Sequence, residues 1–183
     1  MVTVFLAEGF EEIEAITPID ILRRGGVSVR TCSITASPVV TGAHGIPFTA
    51  DTTLEKLDAS EDVILLPGGM PGTLHLKACK ALEERIRSHY ARGGILAAIC
   101  AAPTVFGEMG LLGDQTATCY PGMEDGLFCK TVSREKSVLS GKILTSRGAG
   151  TAAHFAFTLL TLLKGRETAE TLAKAMCFEG ALD

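Results

Sequence analysis

The sequence predicts one α/β domain built on a mostly parallel β-sheet with helices on both faces. Short apolar segments, such as residues 63–66 and 95–99, alternate with longer segments of helical spacing. Parallel strands that are covered on both faces are continuously apolar, and this alternation is typical of βαβ units. The chain has 183 residues, a length that suits one domain spanning residues 1–183.

The N-terminal part alternates strand and helix. Residues 2–6 are apolar and predict a buried strand, and residues 11–24 predict a helix. Ile13, Ile16, Ile19 (or Pro18) and Leu22 are expected to share one buried face of that helix. Two glycines at 25–26 end it, as helix C-termini prefer. Residues 27–34 predict a second strand, and residues 35–53, with two prolines and two glycines, predict short strands joined by turns.

The remaining elements follow the same pattern. Residues 63–66 and 95–99 predict buried strands, and a charged amphipathic helix is expected between them. Another helix is expected after the strand 95–99, because Pro103 suits the first turn of a helix. Short strands and turns are expected over residues 114–146. The predicted helices of this part are residues 78–92, 103–109, 152–163 and 168–176, and the last predicted strand is 143–146.

Composition excludes several classes of protein. The chain is 46% hydrophobic and 21% charged, with a net charge of −4 and no basic run, which argues against disorder and nucleic-acid binding. Its apolar runs are too short to span a bilayer. There are six cysteines, no CxxC pair and no apparent leader. We therefore expect reduced thiols in a soluble, cytoplasmic protein without a structural metal.

Cys100 differs from the other cysteines in its context. It directly follows the predicted strand 95–99 and precedes Pro103, where a helix is expected to begin. A nucleophile at such a strand-to-helix turn is exposed at the edge of the sheet, and a helix N-terminus lowers the pKa of a thiol. The alternative interpretation is a small buried side chain that only fills space.

Two further segments are expected at the same edge, beyond the carboxyl ends of neighbouring strands. Residues 67–72 form a glycine-rich loop whose N–H groups can hold an oxyanion, or simply a tight turn. This loop lacks the features of a nucleotide site. Four glutamates lie around the start of the first helix: Glu8, Glu11, Glu12 and Glu14. One interpretation is that they do no more than complement the dipole of the helix. A carboxyl turned inward, however, would be protonated and could exchange a proton with Cys100.

The histidines give weaker signals. His75 follows the glycine-rich loop and could reach the edge of the site. His89 is expected to face solvent, and His154 is expected to be structural.

Four motifs now stand in order along the chain. Together they resemble the ThiJ/PfpI superfamily, in the branch of the Parkinson-disease-associated protein deglycase and its bacterial homologues, and the resemblance covers essentially the whole chain up to the last helix. The motifs are Gly9-Phe10-Glu11-Glu12-Ile13-Glu14, Leu66-Pro67-Gly68-Gly69, Ala97-Ala98-Ile99-Cys100-Ala101-Ala102-Pro103-Thr104 and Leu144-Thr145-Ser146-Arg147-Gly148-Ala149-Gly150-Thr151.

The resemblance implies a flavodoxin-like three-layer α/β sandwich, usually a homodimer. It implies that Cys100 is an oxidation-sensitive nucleophile and that Glu14 is the protonated carboxyl beside it. Backbone donors of an oxyanion site would be Gly69 and Ala101, with Gly68 nearby. The motif Ser146-Arg147 would lie at the substrate site. The family carries claimed glyoxalase, protein and nucleotide deglycase, chaperone and oxidative-stress functions.

Two departures from the family pattern matter. Ala101 follows the cysteine where the protease-like branch has histidine, which argues against a peptidase. Tyr120 stands where human-type members have a histidine before proline, and tyrosine is a poor base because its pKa is near ~10. Glu14 is then the main proton carrier. His44 belongs to a segment that family dimers place near the mouth of the site. The resemblance therefore implies that His44 could supply an imidazole to the partner's site across the dimer interface.

Two functions are therefore expected. The first is a cofactor-independent enzyme that acts on 2-oxoaldehydes such as methylglyoxal, or on their early adducts with proteins and nucleotides. The second is a redox sensor or chaperone in which Cys100 is oxidised to a sulfinate, without efficient turnover. No metal and no organic cofactor is expected for either.

Overall fold

A seven-stranded sheet forms the centre of this computed structural model, which describes residues 1–58, 60–178 and 180. The predicted end of the domain at residue 183 lies outside the described residues. The strands are β1 (Val2–Leu6), β2 (Val29–Ser33), β3 (Val39–Thr41), β4 (Pro47–Thr49), β5 (Thr52–Thr53), β6 (Val63–Leu66), β7 (Ile95–Ile99), β8 (Thr116–Ala117), β9 (Thr131–Val132), β10 (Ser137–Ser140) and β11 (Ile143–Ser146). The helices are α1 (Glu12–Arg24), α2 (Gly72–Ala78), α3 (Lys80–Ala91), α4 (Pro103–Glu108), α5 (Ala152–Lys164) and α6 (Arg166–Ala175).

The strand order explains how distant segments meet. The main sheet runs β10-β11-β7-β6-β1-β2-β5, and each neighbouring pair is parallel except β10 with β11. In this register Leu66 lies beside Ala98, and Ser146 lies beside Ile99. The carboxyl ends of β1, β6, β7 and β11 therefore share one edge, which confirms the predicted placement of the loops that follow them.

Two apolar cores cover the two faces of the sheet. On one face, Leu22 of α1 and Phe155 and Leu160 of α5 pack against the strands. On the other face, Leu82 of α3 and Phe106 of α4 do the same. This arrangement confirms a three-layer α/β sandwich, because each face of the parallel sheet is shielded from water by helices.

The predicted buried face of α1 is wrong at its N-terminal end. Ile13 and Ile16 are 53% and 42% exposed, whereas Ala15, Ile19 and Leu22 are buried. Each step of three residues falls about 60° short of a full turn, so three steps carry Leu22 to the side of the helix opposite Ile13. The inward positions at the start of α1 are taken by Glu12 and Glu14 instead.

Other elements differ in part from the prediction. Strands β6, β7 and β11 have the predicted bounds, but α2 was not predicted, and α3 begins two residues later than expected. His89 is 3% exposed, not solvent-facing, because α3 turns it onto the backbone at Gly94, and its Nε2 contacts the Ile95 carbonyl at 3.0 Å. In the described part of the chain, none of the helices is long and apolar enough to cross a membrane.

Candidate active site

Cys100 occupies a sharp turn between β7 and α4. Its φ is +65°, a left-handed conformation that costs a residue other than glycine about 1–2 kcal/mol. Two backbone bonds hold it there: its N–H donates to the Ser146 carbonyl at 2.9 Å, and its carbonyl accepts from the Tyr120 N–H at 2.8 Å. The turn places the half-buried thiol at the carboxyl edge of the sheet, as a nucleophile elbow does.

Glu14 is the glutamate that the structure places beside Cys100. Its carboxyl is buried, accepts the Gly68 N–H at 2.9 Å and shares a hydrogen bond with the Cys100 thiol. Burial raises the pKa of Glu14 to about 7, although the two hydrogen bonds act in the opposite direction. Near neutral pH this carboxyl can therefore both accept and donate a proton.

Backbone N–H groups from two loops face the same sulfur. The N–H groups of Gly69 and Ala101 hydrogen-bond to the Cys100 thiolate and oppose the rise of its pKa. Gly68 leaves room for this arrangement, because a β-carbon there would lie 2.7 Å from the Cys100 Cβ and 2.8 Å from the Glu14 Oε2. These groups are positioned to stabilise negative charge on the sulfur or on an atom bound to it.

The glycine-rich loop is held against the start of α1. The Glu11 N–H donates to the Gly68 carbonyl at 2.9 Å, and the Gly72 N–H donates to the Gly9 carbonyl at 3.1 Å. Gly69 has a φ of +92°, and a β-carbon there would lie 2.4 Å from the Glu11 backbone nitrogen. Only glycine combines this conformation with so close an approach of two backbones.

The expectation that a helix N-terminus lowers the thiol pKa is wrong. Burial and the adjacent Glu14 carboxylate raise the pKa of Cys100 to about 12, against the smaller effect of the two N–H groups. The thiol and the carboxyl titrate as one pair that loses a first proton near pH 7 and a second near pH 12. Between these values the pair holds one proton, which Glu14 can take from the sulfur.

Ser146 and Arg147 have different surroundings. Ser146 is fully buried, and its hydroxyl contacts the Lys136 carbonyl at 2.6 Å and the Thr151 hydroxyl at 2.8 Å. Its backbone carbonyl, not its side chain, orients Cys100. Arg147 is half-buried, and its Nη1 donates to the Arg134 carbonyl at 3.0 Å. Substrate contact by either side chain stays a prediction, and Arg147 is the better placed of the two.

Tyr120 lies at the rim of the site. Its ring is exposed and packs next to Gly148, where an added β-carbon would be 3.4 Å from its Cδ2 and 3.9 Å from the Glu14 Oε1. An open cavity of ≈ 420 Å³ begins at this ring and continues to Arg147. The position where human-type members of the family have a histidine thus carries an aromatic wall in this chain.

His44 pairs with the start of α1. Its Nδ1 lies 2.9 Å from the Glu12 Oε2, and its backbone N–H donates to the Glu12 Oε1 at 2.8 Å. Glu11 joins at 3.6 Å, so the three side chains offer ligand atoms close enough to hold a metal ion. The hydrogen bonds raise the pKa of His44 and already satisfy Glu12, which indicates an ion pair that ties the β3–β4 hairpin to α1.

The remaining predicted residues stand apart from the sulfur. Glu8 accepts the Thr41 N–H through its side chain, and His75 contacts the Glu8 carbonyl at 2.8 Å. All six cysteines are free thiols, and burial raises the pKa of Cys32 and Cys119 to about 12. The basic residues Arg134 and Lys136 near Tyr120 were missed, because no spacing rule connects them to residues 147–151.

The fold and the site define an α/β protein of the flavodoxin-like class with a cysteine at a strand-to-helix turn. The chain belongs to the DJ-1/PfpI family, whose model matches residues 1–162. It is 44% identical to Protein DJ-1 homolog B of Arabidopsis thaliana over 90% of this chain, but it spans only 38% of that protein.

Two further relatives match over nearly their whole length. The chain is 33% identical to Glutathione-independent glyoxalase DJR-1.2 of Caenorhabditis elegans, covering 93% of this chain and 91% of that one. Oxidized Toxoplasma gondii DJ-1 superposes with a TM-score of 0.93 at 34% identity, covering 97% and 98% of the two chains.

Proposed function

We propose that this protein is a cysteine-dependent glyoxalase or deglycase that converts 2-oxoaldehydes such as methylglyoxal, or their early adducts, without a cofactor. The observation that carries the proposal is the convergence on the Cys100 sulfur of one proton carrier, Glu14, and two N–H donors, Gly69 and Ala101. A reaction that creates an oxyanion next to a sulfur and moves protons at neutral pH needs these groups.

In the first step, the Cys100 sulfur attacks the aldehyde carbon while Glu14 takes the thiol proton. Glu14 suits this role because its pKa is about 7, close to neutral pH. The product is a hemithioacetal. Its oxygen, two bonds from the sulfur through the former aldehyde carbon, is within reach of the N–H groups that surround Cys100.

In the second step, a proton moves from the former aldehyde carbon to the neighbouring ketone carbon, with Glu14 as carrier, and the hydroxyl proton of the hemithioacetal passes to the ketone oxygen. The hemithioacetal thereby becomes a thioester of a 2-hydroxy acid, without any net oxidation. Water then cleaves the thioester, releases lactate from methylglyoxal and regenerates the thiol. The name of the Caenorhabditis elegans relative supports this chemistry. Ala101, in place of a histidine, argues against peptidase activity.

The rate of lactate formation is expected to rise with pH and to level off above about pH 7. The cause is loss of the first proton from the Glu14–Cys100 pair, because the doubly protonated pair has no base to accept the thiol proton. Steady-state lactate assays between about pH 5 and 9 measure this profile. A rate that falls through this range would contradict the assigned role of Glu14.

A redox function would use the same sulfur differently. The N–H groups of Gly69 and Ala101 would hold the oxygens that peroxide adds to Cys100. Mass spectrometry after mild peroxide treatment separates the two functions. Selective addition of two oxygens at Cys100, in a protein that forms no lactate, would favour the redox sensor. Equal oxidation of several cysteines would count against it.

We also propose that the protein forms a homodimer through α1. Ile13 and Ile16 expose an apolar strip beside the hairpin that carries Ile46, which is 53% exposed. An exposed apolar strip of this kind is typical of an interface, and it would bring His44 near the partner's site. Sedimentation should show a dimer that Ile16→Glu dissociates. A wild-type monomer at micromolar concentration would contradict this assembly.

A further inference from the structure

A basic cavity adjoins the candidate active site and is not used by the proposed reaction. It has a volume of ≈ 420 Å³ and is lined by Tyr120, Pro121, Arg134, Lys136, Arg147 and the turn 148–151. Two of these residues also border the reacting groups. The Tyr120 N–H donates to the Cys100 carbonyl, and Gly148 approaches Glu14. The cavity and the sulfur therefore open from one edge of the sheet.

The described side chains that line this cavity are basic rather than acidic. Arg134 and Arg147 contribute two guanidinium groups, Lys136 lies beside them, and none of the described lining residues carries a carboxylate. Two acids nearby have hydrogen-bond partners of their own: the Glu124 carboxylate accepts the Gly122 N–H at 2.7 Å, and the Glu14 carboxyl accepts the Gly68 N–H at 2.9 Å. A third acid, Glu135, follows Arg134 in the chain and is exposed. In a chain with a net charge of −4, such a concentration of positive charge favours a bound anion.

The backbone around the cavity adds to this field. The turn 148–151 leads into α5, a helix of 13 residues whose N-terminus carries partial positive charge. The Thr151 hydroxyl accepts the Gly148 N–H at 3.1 Å and fixes the turn. Arg147 is held by its bond to the Arg134 carbonyl, so the guanidinium group is oriented before any ligand arrives.

We propose that this cavity binds a phosphate group carried by the aldehyde substrate, while the aldehyde carbon lies at Cys100. This inference rests on the proposed function and names its substrate class: 2-oxoaldehydes or adducts that bear a phosphate ester. A phosphate monoester carries nearly two negative charges at neutral pH and offers three acceptor oxygens. Guanidinium groups pair with such oxygens in a bidentate manner, and Tyr120 supplies a wall against which the rest of the substrate can pack.

The first experiment needs no turnover. Full-length protein is alkylated with iodoacetate, which is anionic, and with iodoacetamide, which is neutral, and the modification of Cys100 is followed by peptide mass spectrometry. The ratio of the two rates reports the electrostatic potential at Cys100, because only iodoacetate is charged. In the variant Arg134→Gln/Arg147→Gln, the iodoacetate-to-iodoacetamide ratio should fall about threefold or more. An unchanged ratio would overturn the proposal.

Control variants distinguish the effect of the cavity's charges on the alkylation ratio from the effect of the overall charge of the protein. Arg166→Gln removes one positive charge at the first residue of α6, just beyond the far end of α5 and about 20 Å from the turn 148–151, and should leave the ratio unchanged. Arg147→Lys keeps the charge and should retain most of the ratio. If the double variant proves unstable, the single variant Arg134→Gln takes its place. The Arg134 side chain is exposed, so this substitution should leave the fold intact.

The second experiment measures turnover of two substrates. The wild-type kcat/KM for the phosphate ester of 3-hydroxy-2-oxopropanal should exceed that for methylglyoxal by about tenfold or more, and the double variant should lose this preference. Equal kcat/KM values in the wild type would overturn the phosphate assignment. Turnover of neither aldehyde would instead refute the proposed function, and the alkylation ratio would still decide whether the cavity holds an anion.

Discussion

Replacing Cys100 with serine should reduce lactate formation from methylglyoxal to the level of a protein-free control. A serine hydroxyl is a far weaker nucleophile than a thiol, and the Glu14 carboxylate, with a pKa of about 7, is too weak a base to ionise it. Glu14→Gln keeps the shape and can still accept the Gly68 N–H, but it cannot take the thiol proton. We expect it to lower kcat about 10²–10⁴-fold.

The measurement must follow lactate, since any thiol binds methylglyoxal reversibly and depletes it without turnover. Cys129→Ser is a matched control, because Cys129 is a half-buried thiol away from Glu14 and should leave the rate unchanged. Unchanged turnover in Cys100→Ser or in Glu14→Gln would refute the proposed mechanism. Loss of activity in Cys129→Ser as well would point to a general effect on the fold.

The central strands could be predicted because a strand that is buried on both faces of the sheet is apolar at every position. Segments such as Val63–Leu66 and Ile95–Ile99 are continuously apolar, and the structure gives them the predicted bounds. The side of α1 that is buried could not be read in the same way. Isoleucines occupy both its buried and its exposed faces, and the inward positions at its N-terminus hold glutamates. Hydrophobic spacing alone cannot identify a buried carboxyl.

The site was predictable where it depends on topology. Because parallel strands end at one edge, Cys100, the glycine-rich loop and the start of α1 were expected together, and they are. The residues alone left four glutamates open, and the resemblance named Glu14. The thiol pKa was mispredicted, because the helix N-terminus is visible in the sequence whereas burial and the adjacent carboxylate are not. Arg134 and Lys136 lie just before β10, an antiparallel edge strand whose pairing the sequence does not reveal.

The buried Glu14 carboxyl should lower the stability of the fold at neutral pH. Its pKa is about 7 in the folded protein and 4.5 as the reference value for an unfolded chain. Between these values the unfolded chain binds fewer protons than the folded protein, so the free energy of unfolding falls as pH rises. The loss is complete above about pH 7 and amounts to roughly 3 kcal/mol, since each pKa unit corresponds to about 1.4 kcal/mol.

Glu14→Gln removes this titration while keeping the hydrogen bond from Gly68. The variant should therefore be more stable than the wild type by up to about 3 kcal/mol near pH 8, with the difference vanishing near pH 4.5. Urea unfolding of both proteins across this range measures it.

Glu12→Gln, two residues earlier on α1, is the contrasting control. Burial acts to raise the pKa of Glu12, but the bonds from His44 and neighbouring backbone N–H groups lower it overall. Its ionised form therefore stabilises the fold above its unfolded pKa, and this contribution is lost as pH falls through the folded value. Glu12→Gln should lose stability at neutral pH, where Glu14→Gln gains it.

If the two variants shifted in the same direction, the pH dependence would reflect the loss of any charge at the start of α1. Opposite shifts would show that the fold gives up stability at Glu14 to keep a proton carrier beside the Cys100 sulfur.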